Sequence, residues 1–563
     1  MSARSSLIYD LANTQGMTDA EIFVKRSWLS LNDDLQSYSS SQSRISTSSI
    51  SAAKFVNFST AYLDVPLMLN IHGNLAPATA ATSADFALGL KNAYQSLVHS
   101  LSISINGNSI CNTVPHIGIF NNFRLMQNLS FNELKHLSHI GFYPPDRKSF
   151  VYQTSASVDG IGTCHNRNAG GFDVVDGTHS SLGTYNDGFV KRQMAIAYND
   201  AGLTAPSAAA FSTLLTKTAC ATLYKSHVFN TVNNSTNGIW QCAVNAQIRL
   251  KDLHSLFAQL PLLRGVFLEL TINWNQTSHT ISVNGSGAMT CTDSTTNSPL
   301  GGVSSLLFAS SASGNGNAST LQNSSDYVIS VNIGNKVLNN TIVANPNQVN
   351  SPLSQSVSLH IESMTMSPNW EAQYLQNPVK EVSFEDVYSY QVKNIASSGT
   401  FDQLLTAGIS NLKSILILPF YTSAANGSLT PIYSPFSEEG TSGGGSPLAL
   451  LSNVNVRVAG ENIRSDTAKY NYQSFIEELY GERSLNGGLT DGLASGLVGK
   501  DDWELAPAYY YNLSHMPTQD ITIPKSVAIQ GQNMSAKAVD LFVFITFKRT
   551  IKIDSLTGLL IQD

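Results

Sequence analysis

Apolar residues fall at every second position in many short runs along this chain, the period of a strand with one buried face. GVFLELTINW (265–274), SILILPF (414–420) and DLFVFITF (540–547) are the clearest, each closed off by turn-forming residues. Helical period is scarce. SADFALGLKNAYQSLV (83–98), with Ser83 as N-cap, and QSFIEELYG (473–481), ended by Gly481, are the two segments that predict helices. The longest apolar run, around LFVFITF at 541–547, has the length of a strand and falls far short of the ~20 residues of a membrane span.

Three blocks of this pattern occur twice, in the same order. KFVNFSTAY (54–62) is echoed by KEVSFEDVY (380–388), where Val56, Phe58 and Tyr62, or Val382, Phe384 and Tyr388, stay in phase with period two. LSISINGNSI (101–110) is echoed by VNVRVAGENI (454–463), a strand, a tight turn at Gly107 or Gly460, and a return. LHIESMT (359–365) is echoed by IKIDSLT (551–557). Shared order as well as shared pattern predicts a tandem duplication. The interval from Gly107 to Ile361 is far longer than that from Gly460 to Ile553, so the first copy carries large insertions. They lie in CHNRNAGGFDVVDGTHSSLGTYNDG (164–188) and NGSGAMTCTDSTTNSPLGG (284–302), whose Gly, Asn, Ser and Thr content predicts loops. About eight strands per unit, with insertions of this size, suit a jelly roll better than an immunoglobulin-like sandwich. The predicted class is all-β: two tandem jelly-roll β-sandwiches with long loop insertions in the first and a few short helices.

Composition adds three constraints. A chain of 563 residues exceeds what one core usually supports, which agrees with two units. Only 13% of residues are charged, about half the usual ~25%, and Ser, Thr and Asn carry the polar surface instead. Such a surface suits packing against copies of itself better than dispersal as a monomer. The net charge of −7, with no cluster of Lys and Arg, argues against direct nucleic-acid binding. The start, MSARSSLIYDLANTQG, has no apolar h-region, so synthesis inside the cell without a signal peptide is expected. Cys111, Cys164, Cys220, Cys242 and Cys291 are odd in number and widely spaced, which implies no disulfide framework.

Several constellations invite chemical readings. Gly440-Thr441-Ser442-Gly443-Gly444 satisfies G-x-S-x-G, but a nucleophile elbow needs a strand before it and a helix after it, and EEGTSGGGSP predicts a surface loop. Glu133, His136 and His139 could place an acid and two imidazoles on one side of a helical turn. The histidine spacing is three rather than the zincin four, which favours a solvated or interface helix. Cys164-His165, with Asp173, Asp176 and His179, lies in a Gly-rich insertion with no rigid scaffold for a nucleophile or a metal. Asp501, Asp502 and Glu504 around Trp503 are too close in sequence to face each other across a glycosidase cleft. In Tyr509-Tyr510-Tyr511 at most alternate rings share a face, which favours a strand with one buried and one interfacial side over a stacking platform. No catalytic, cofactor-binding or metal residue is assigned, and neither a cofactor nor an enzyme activity is expected.

Four stretches carry a family resemblance: KFVNFSTAYLDVPLMLNIHG, LKDLHSLFAQLPLLRGVFLELTINWN (250–275), SLHIESMTMSPNWEAQYLQNPVKEVSFEDVYSYQV and IPKSVAIQGQNMSAKAVDLFVFITFKRTIKIDSLTG (523–558). From about Ala53 to Gly558 the chain resembles the double jelly-roll major capsid proteins of double-stranded DNA viruses, most closely those of polinton-like viruses and virophages. The resemblance implies that each jelly roll starts at a Lys-x-Val-x-Phe block. It divides the chain into an N-terminal arm (1–52), a first jelly roll with surface insertions (53–370), a linker (371–379) and a second jelly roll with a tail (380–563). It implies a viral structural protein in the virion capsid shell, a homotrimeric pseudo-hexameric capsomer that assembles with itself, with neighbouring capsomers and with penton and minor capsid proteins into an icosahedral capsid. The competing reading is a carbohydrate-binding or glycan-hydrolysing β-sandwich protein, which needs a cleft lined by acids and aromatics.

Overall fold

The computed structural model describes residues 22–35, 41–50, 53–73, 86–91, 94–111, 113–128, 193–196, 225–231, 238–283, 289–293, 304–310, 325–333, 356–422, 444–446, 448–464, 469–480, 499–513, 522–554 and 559–562. Sixteen of its strands form two units of one design. The first holds β1 (Phe23–Asn32), β2 (Gln42–Ser46), β3 (Phe55–Gly73), β4 (Val98–Ile105), β5 (Asn108–Cys111), β6 (Gly238–Arg249), β7 (Leu268–Trp274) and β8 (Ser358–Met366). The second holds β9 (Val379–Ile395), β10 (Thr400–Ile409), β11 (Leu412–Tyr421), β12 (Leu451–Val458), β13 (Glu461–Asn462), β14 (Tyr509–Asn512), β15 (Lys525–Asn533) and β16 (Val539–Asp554).

Pairing is antiparallel throughout, and it runs β1-β8-β3-β6 and β2-β7-β4-β5 in the first unit. In the second it runs β9-β16-β11-β14 and β10-β15-β12-β13. Each strand of the second unit thus has the same neighbours as its counterpart eight places earlier. Two four-stranded sheets in this order, facing across a core, are a jelly roll. The chain is a double jelly roll. Further strands in the first unit, among them Ser278–Val283 and Ser325–Ile333, extend its first sheet beyond the roll. Helices are few and short: α1 (Ile117–Asn128), α2 (Leu250–Leu253), α3 (Ser255–Gln259), α4 (Pro368–Gln376), α5 (Tyr472–Tyr480) and α6 (Lys500–Leu505). Among the described residues no helix is long and apolar enough to cross a membrane.

This topology corrects the repeat. LSISINGNSI and VNVRVAGENI do hold equivalent places, β4–β5 and β12–β13, LHIESMT lies in β8, and the described part of IKIDSLT, residues 551–554, ends β16. KFVNFSTAY and KEVSFEDVY do not. The first lies in β3, whose counterpart is β11, and the second opens β9, whose counterpart is β1. Any half-buried strand repeats period two, so the match reports a strand without reporting which one. The first roll accordingly starts at β1. Residues 23–32 and 42–46, expected in an arm, are paired strands, with Trp28 opposite Glu362 and Arg44 opposite Thr271. The expected linker, 371–379, is the body of α4 and the first residue of β9, and it is anchored: Trp370 and Tyr374 are buried, and the Tyr374 ring meets Phe55 edge-on at 4.9 Å.

One predicted helix is also overturned. Within 83–98 the chain forms a strand, Phe86–Leu90, paired with Leu306–Ser310, then a 3₁₀ turn, Tyr94–Leu97, before β4. Strand pairing outweighs a local helical preference that amounts to only tenths of a kcal/mol per residue. Ser83 lies outside the described residues. The other helix is observed as α5.

The paired hairpins show why glycine recurs. Asn106 and Gly107 have φ of 48° and 81°, and Ala459 and Gly460 have 54° and 89°, the positive pair that a two-residue type I′ turn demands. A Cβ on Gly460 would meet no heavy atom within 4 Å, so the backbone alone selects glycine there. Gly460→Ala is expected to destabilise the second roll by about 1–2 kcal/mol, read as a lower denaturant midpoint. An unchanged midpoint would detach the glycine from its φ.

Candidate functional site at the seam of the two rolls

LFVFITF, read from sequence as an alternating strand, is in fact apolar at nearly every position, because its sheet is buried on both faces. Leu541, Val543, Ile545 and Phe547 of β16 point into the second roll with Ile415 and Ile417 of β11. Phe542 and Phe544, with Leu416, Leu418 and Phe420, point out of it and join the core of the first roll. What they meet is helical. His116, just before α1, lies edge-on to Phe542 at 5.0 Å, Phe120 of α1 lies 5.4 Å from Phe544, and Phe123 stacks on Tyr510 at 6.2 Å.

Alongside these rings the seam turns polar. Ser255, first residue of α3, donates its hydroxyl to the carbonyl of Glu385 and accepts the Glu385 N–H at 3.1 Å. β9 is the edge of its sheet, and this pairing satisfies its free backbone where another strand would otherwise sit. His254 is the N-cap of α3, and its Nδ1 accepts the Leu256 N–H at 3.2 Å. That bond leaves the imidazole proton on Nε2, which faces Asp386 Oδ1 at 3.4 Å and Cys111 Sγ at 3.6 Å. Arg549 of β16 donates to the carbonyl of Ile110 in the first roll and pairs with Asp386 Oδ2 at 3.3 Å. Asp386 Oδ1 also accepts the Val387 N–H at 2.8 Å.

Two rolls therefore share one buried polar group: Cys111 and His254 from the first, Asp386 and Arg549 from the second. Burial on its own would raise the Asp386 pKa, but the hydrogen bond to His254, the Val387 N–H and Arg549 outweigh it and hold the carboxyl below its usual range. Burial, reinforced by Asp386 and partly offset by Arg549, pushes the Cys111 thiol well up. A Cys, a His and an Asp within reach of one another are the residue types of a cysteine hydrolase, but a nucleophile must be a thiolate open to substrate. Cys111 is a free thiol, protonated at neutral pH and 1% exposed, so it is no nucleophile.

Glu133, His136, His139, Cys164, His165, Asp173, Asp176 and His179 lie outside the described residues, as do residues 440–443. Gly444 is described and is no free loop: a Cβ there would sit 2.0 Å from the carbonyl oxygen of Ala506. Asp501, Asp502 and Glu504 lie on α6, with Glu504 exposed beside Lys500 and Trp503 buried and bonded to the Ala508 carbonyl at 2.8 Å. Tyr509 and Tyr511 are buried in the second core while Tyr510 turns to the seam, the alternation that the sequence predicts. The seam cluster carries no sequence motif, because Cys111, His254 and Asp386 come from three distant segments. The one available sign was His254 directly ahead of Ser255 at a helix start.

No family model and no curated protein matches the sequence. Among solved structures, the chain is similar to one from the Sputnik virophage, with a TM-score of 0.47 and 12% identity over 98% of this chain and 91% of that one. It is similar to the mavirus major capsid protein, with a TM-score of 0.46 and 9% identity over 98% and 94% of the two chains. It is also similar to the Faustovirus major capsid protein, at 0.42 and 9% over 96% and 92%. The fold assignment itself rests on the strand order of the two rolls.

Proposed function

We propose that this chain is the major capsid protein of a double-stranded DNA virus, a building block that forms homotrimeric, pseudo-hexameric capsomers and tiles them into an icosahedral shell. The observation that carries this reading is the unequal cover on two equivalent sheets. In the second roll, the outer face of β9-β16-β11-β14 is filled by helices of the first. In the first roll, the outer face of β1-β8-β3-β6 carries Trp28, 55% exposed, beside Tyr62 at 5.9 Å, which in turn stacks on His360 at 5.0 Å. A second chain that brings its second roll against this row repeats the seam between molecules. Such a contact is heterologous, and it makes a ring when its rotation closes. Three chains of two rolls then make six rolls about a true threefold axis.

The rest of the reading follows from the same chain. Its sparsely charged surface suits contact with neighbouring capsomers, and penton and minor capsid proteins are the further partners. The long connections of the first roll, between β5 and β6 and between β7 and β8, would face outward from the shell. The lack of basic clusters fits a shell that leaves the genome to other components. A glycan-binding role loses its aromatic platform, since Tyr509, Tyr511 and Trp503 are buried.

Light scattering coupled to size exclusion tests the proposal. The expected mass is three times 60.6 kDa, or that of closed shells. Trp28→Glu is expected to return a folded monomer. A wild-type chain that stays monomeric at all concentrations would overturn the proposal.

A further inference from the structure

We propose that Cys111, His254 and Asp386 form a zinc site that pins the first roll to the second. The three ligand atoms lie within 4.8 Å of one another and all three residues are buried. The histidine–carboxylate spacing suits an ion better than it suits a hydrogen bond. The Nε2–Oδ1 separation of 3.4 Å compares with about 2.7–3.2 Å for an N–H···O bond, which shortens further when the acceptor is charged, while the Sγ–Nε2 separation of 3.6 Å suits a shared ion and a sulfur hydrogen bond equally. With Zn–S near 2.3 Å and Zn–N and Zn–O about 2.0–2.1 Å, tetrahedral angles place sulfur and nitrogen about 3.5 Å apart and nitrogen and oxygen about 3.3 Å apart. Two of the three edges, at 3.6 and 3.4 Å, fit that figure, and the third, from sulfur to the carboxylate, is within 4.8 Å.

The surroundings fit as well. Arg549 binds Asp386 through Oδ2, leaving Oδ1 turned to His254, and a carboxylate ligand held by an outer partner is a common arrangement. Sulfur, nitrogen and oxygen donors together favour zinc over calcium or magnesium. Binding replaces the Cys111 S–H bond by a sulfur–zinc bond and releases that proton to solvent. The His254 proton moves from Nε2 to Nδ1, which gives up the Leu256 N–H. A helix cap is worth an order of magnitude less than a structural zinc ion, so the exchange favours the metal. Because ligands come from both rolls, the site closes as the rolls dock, and its burial is no barrier to filling during folding.

The test is the metal content of the full chain expressed with added zinc, and its absorption when expressed with cobalt. About one zinc ion per chain is expected, with thiolate-to-cobalt charge-transfer absorption. Cys111→Ser and His254→Gln are expected to lower the content at least ten-fold. A variant with Cys164, Cys220, Cys242 and Cys291 all replaced by serine is expected to keep the full spectrum, and it decides the matter if the ligand variants fail to fold. Less than a tenth of an ion per chain in the wild type would overturn the proposal. So would loss of the cobalt spectrum in the folded four-serine variant, or metal retained undiminished by folded Cys111→Ser.

Discussion

Asp386→Ala is expected to destabilise the folded chain by about 3–5 kcal/mol, the usual result of removing one member of a buried ion pair. The side chain of Asp386 is 6% exposed and that of Arg549 24%, so the pair sits mostly out of water. Alanine removes the carboxylate from the guanidinium and leaves the Val387 N–H, bonded to Oδ1 at 2.8 Å, without that acceptor. It also takes away the group that His254 Nε2 faces. Asp386→Asn keeps the size and one acceptor, and should cost about 1–3 kcal/mol.

What separates an ion-pair effect from mere disturbance is the double change. Asp386→Leu with Arg549→Met replaces both charges by apolar groups of similar bulk, and such swaps are often close to neutral. The double variant should therefore recover most of the stability lost in Asp386→Ala. Denaturant unfolding with a chelator present throughout measures the cycle without a contribution from bound metal. A single variant within about 1 kcal/mol of wild type would show that the seam does not depend on this pair. A double variant as unstable as the single would place the loss in packing.

How far the sequence led differs from one element to the next. The strands of β16 and β11 were legible as strands, but the reason for their unbroken apolar runs was not. Both faces are buried, one in the second roll and one against helices of the first, and the consecutive apolar residues of DLFVFITF are the local sign of it, though they do not say what covers the second face. The β-turns were legible because Gly107 and Gly460 meet a backbone demand that acts within four residues. The start of the first roll was misplaced because β1 and β3 flank the same strand, β8, and share its period. Sequence pattern records the face a residue occupies and leaves open which neighbour lies beside it. The seam cluster lies one level further out, since its geometry exists only after two rolls have folded and docked.

Acid is the second perturbation with a large expected effect, and it acts through histidines. His99 lies edge-on to His116 at 4.8 Å, and His116 in turn to Phe542 across the seam. Neither ring nitrogen of His99 has a hydrogen-bond partner among the described residues. Burial lowers the His99 pKa from 6.5 to about 4. Burial, then His99, then Lys393 lower that of His116 to about 3, and burial with Lys91 lowers that of His279 to about 3.

A folded-state pKa below the unfolded one means that the unfolded chain takes up protons first as pH falls. The stability held by these neutral rings is whole above about pH 6.5 and drains away down to about pH 4 for His99 and about pH 3 for the others. At pH 5 each ring should withdraw about 2 kcal/mol relative to neutral pH, at about 1.4 kcal/mol per pH unit. The three together approach the whole stability of an ordinary domain, about 5–15 kcal/mol. Asp386 pushes the same way at lower pH, because its depressed pKa makes its contribution vanish as the carboxylate is finally protonated. Denaturant midpoints between pH 7.5 and pH 4.5 check this. The midpoint should fall steeply below about pH 6.5, and the fall should be shallower in His99→Leu with His116→Asn. Asparagine is the choice at 116 because it tolerates the φ of 58° there. A midpoint level down to pH 4.5 would show that the neutral rings hold no such stability, and an acid limb unchanged in the double variant would place the acid sensitivity outside this pair of rings.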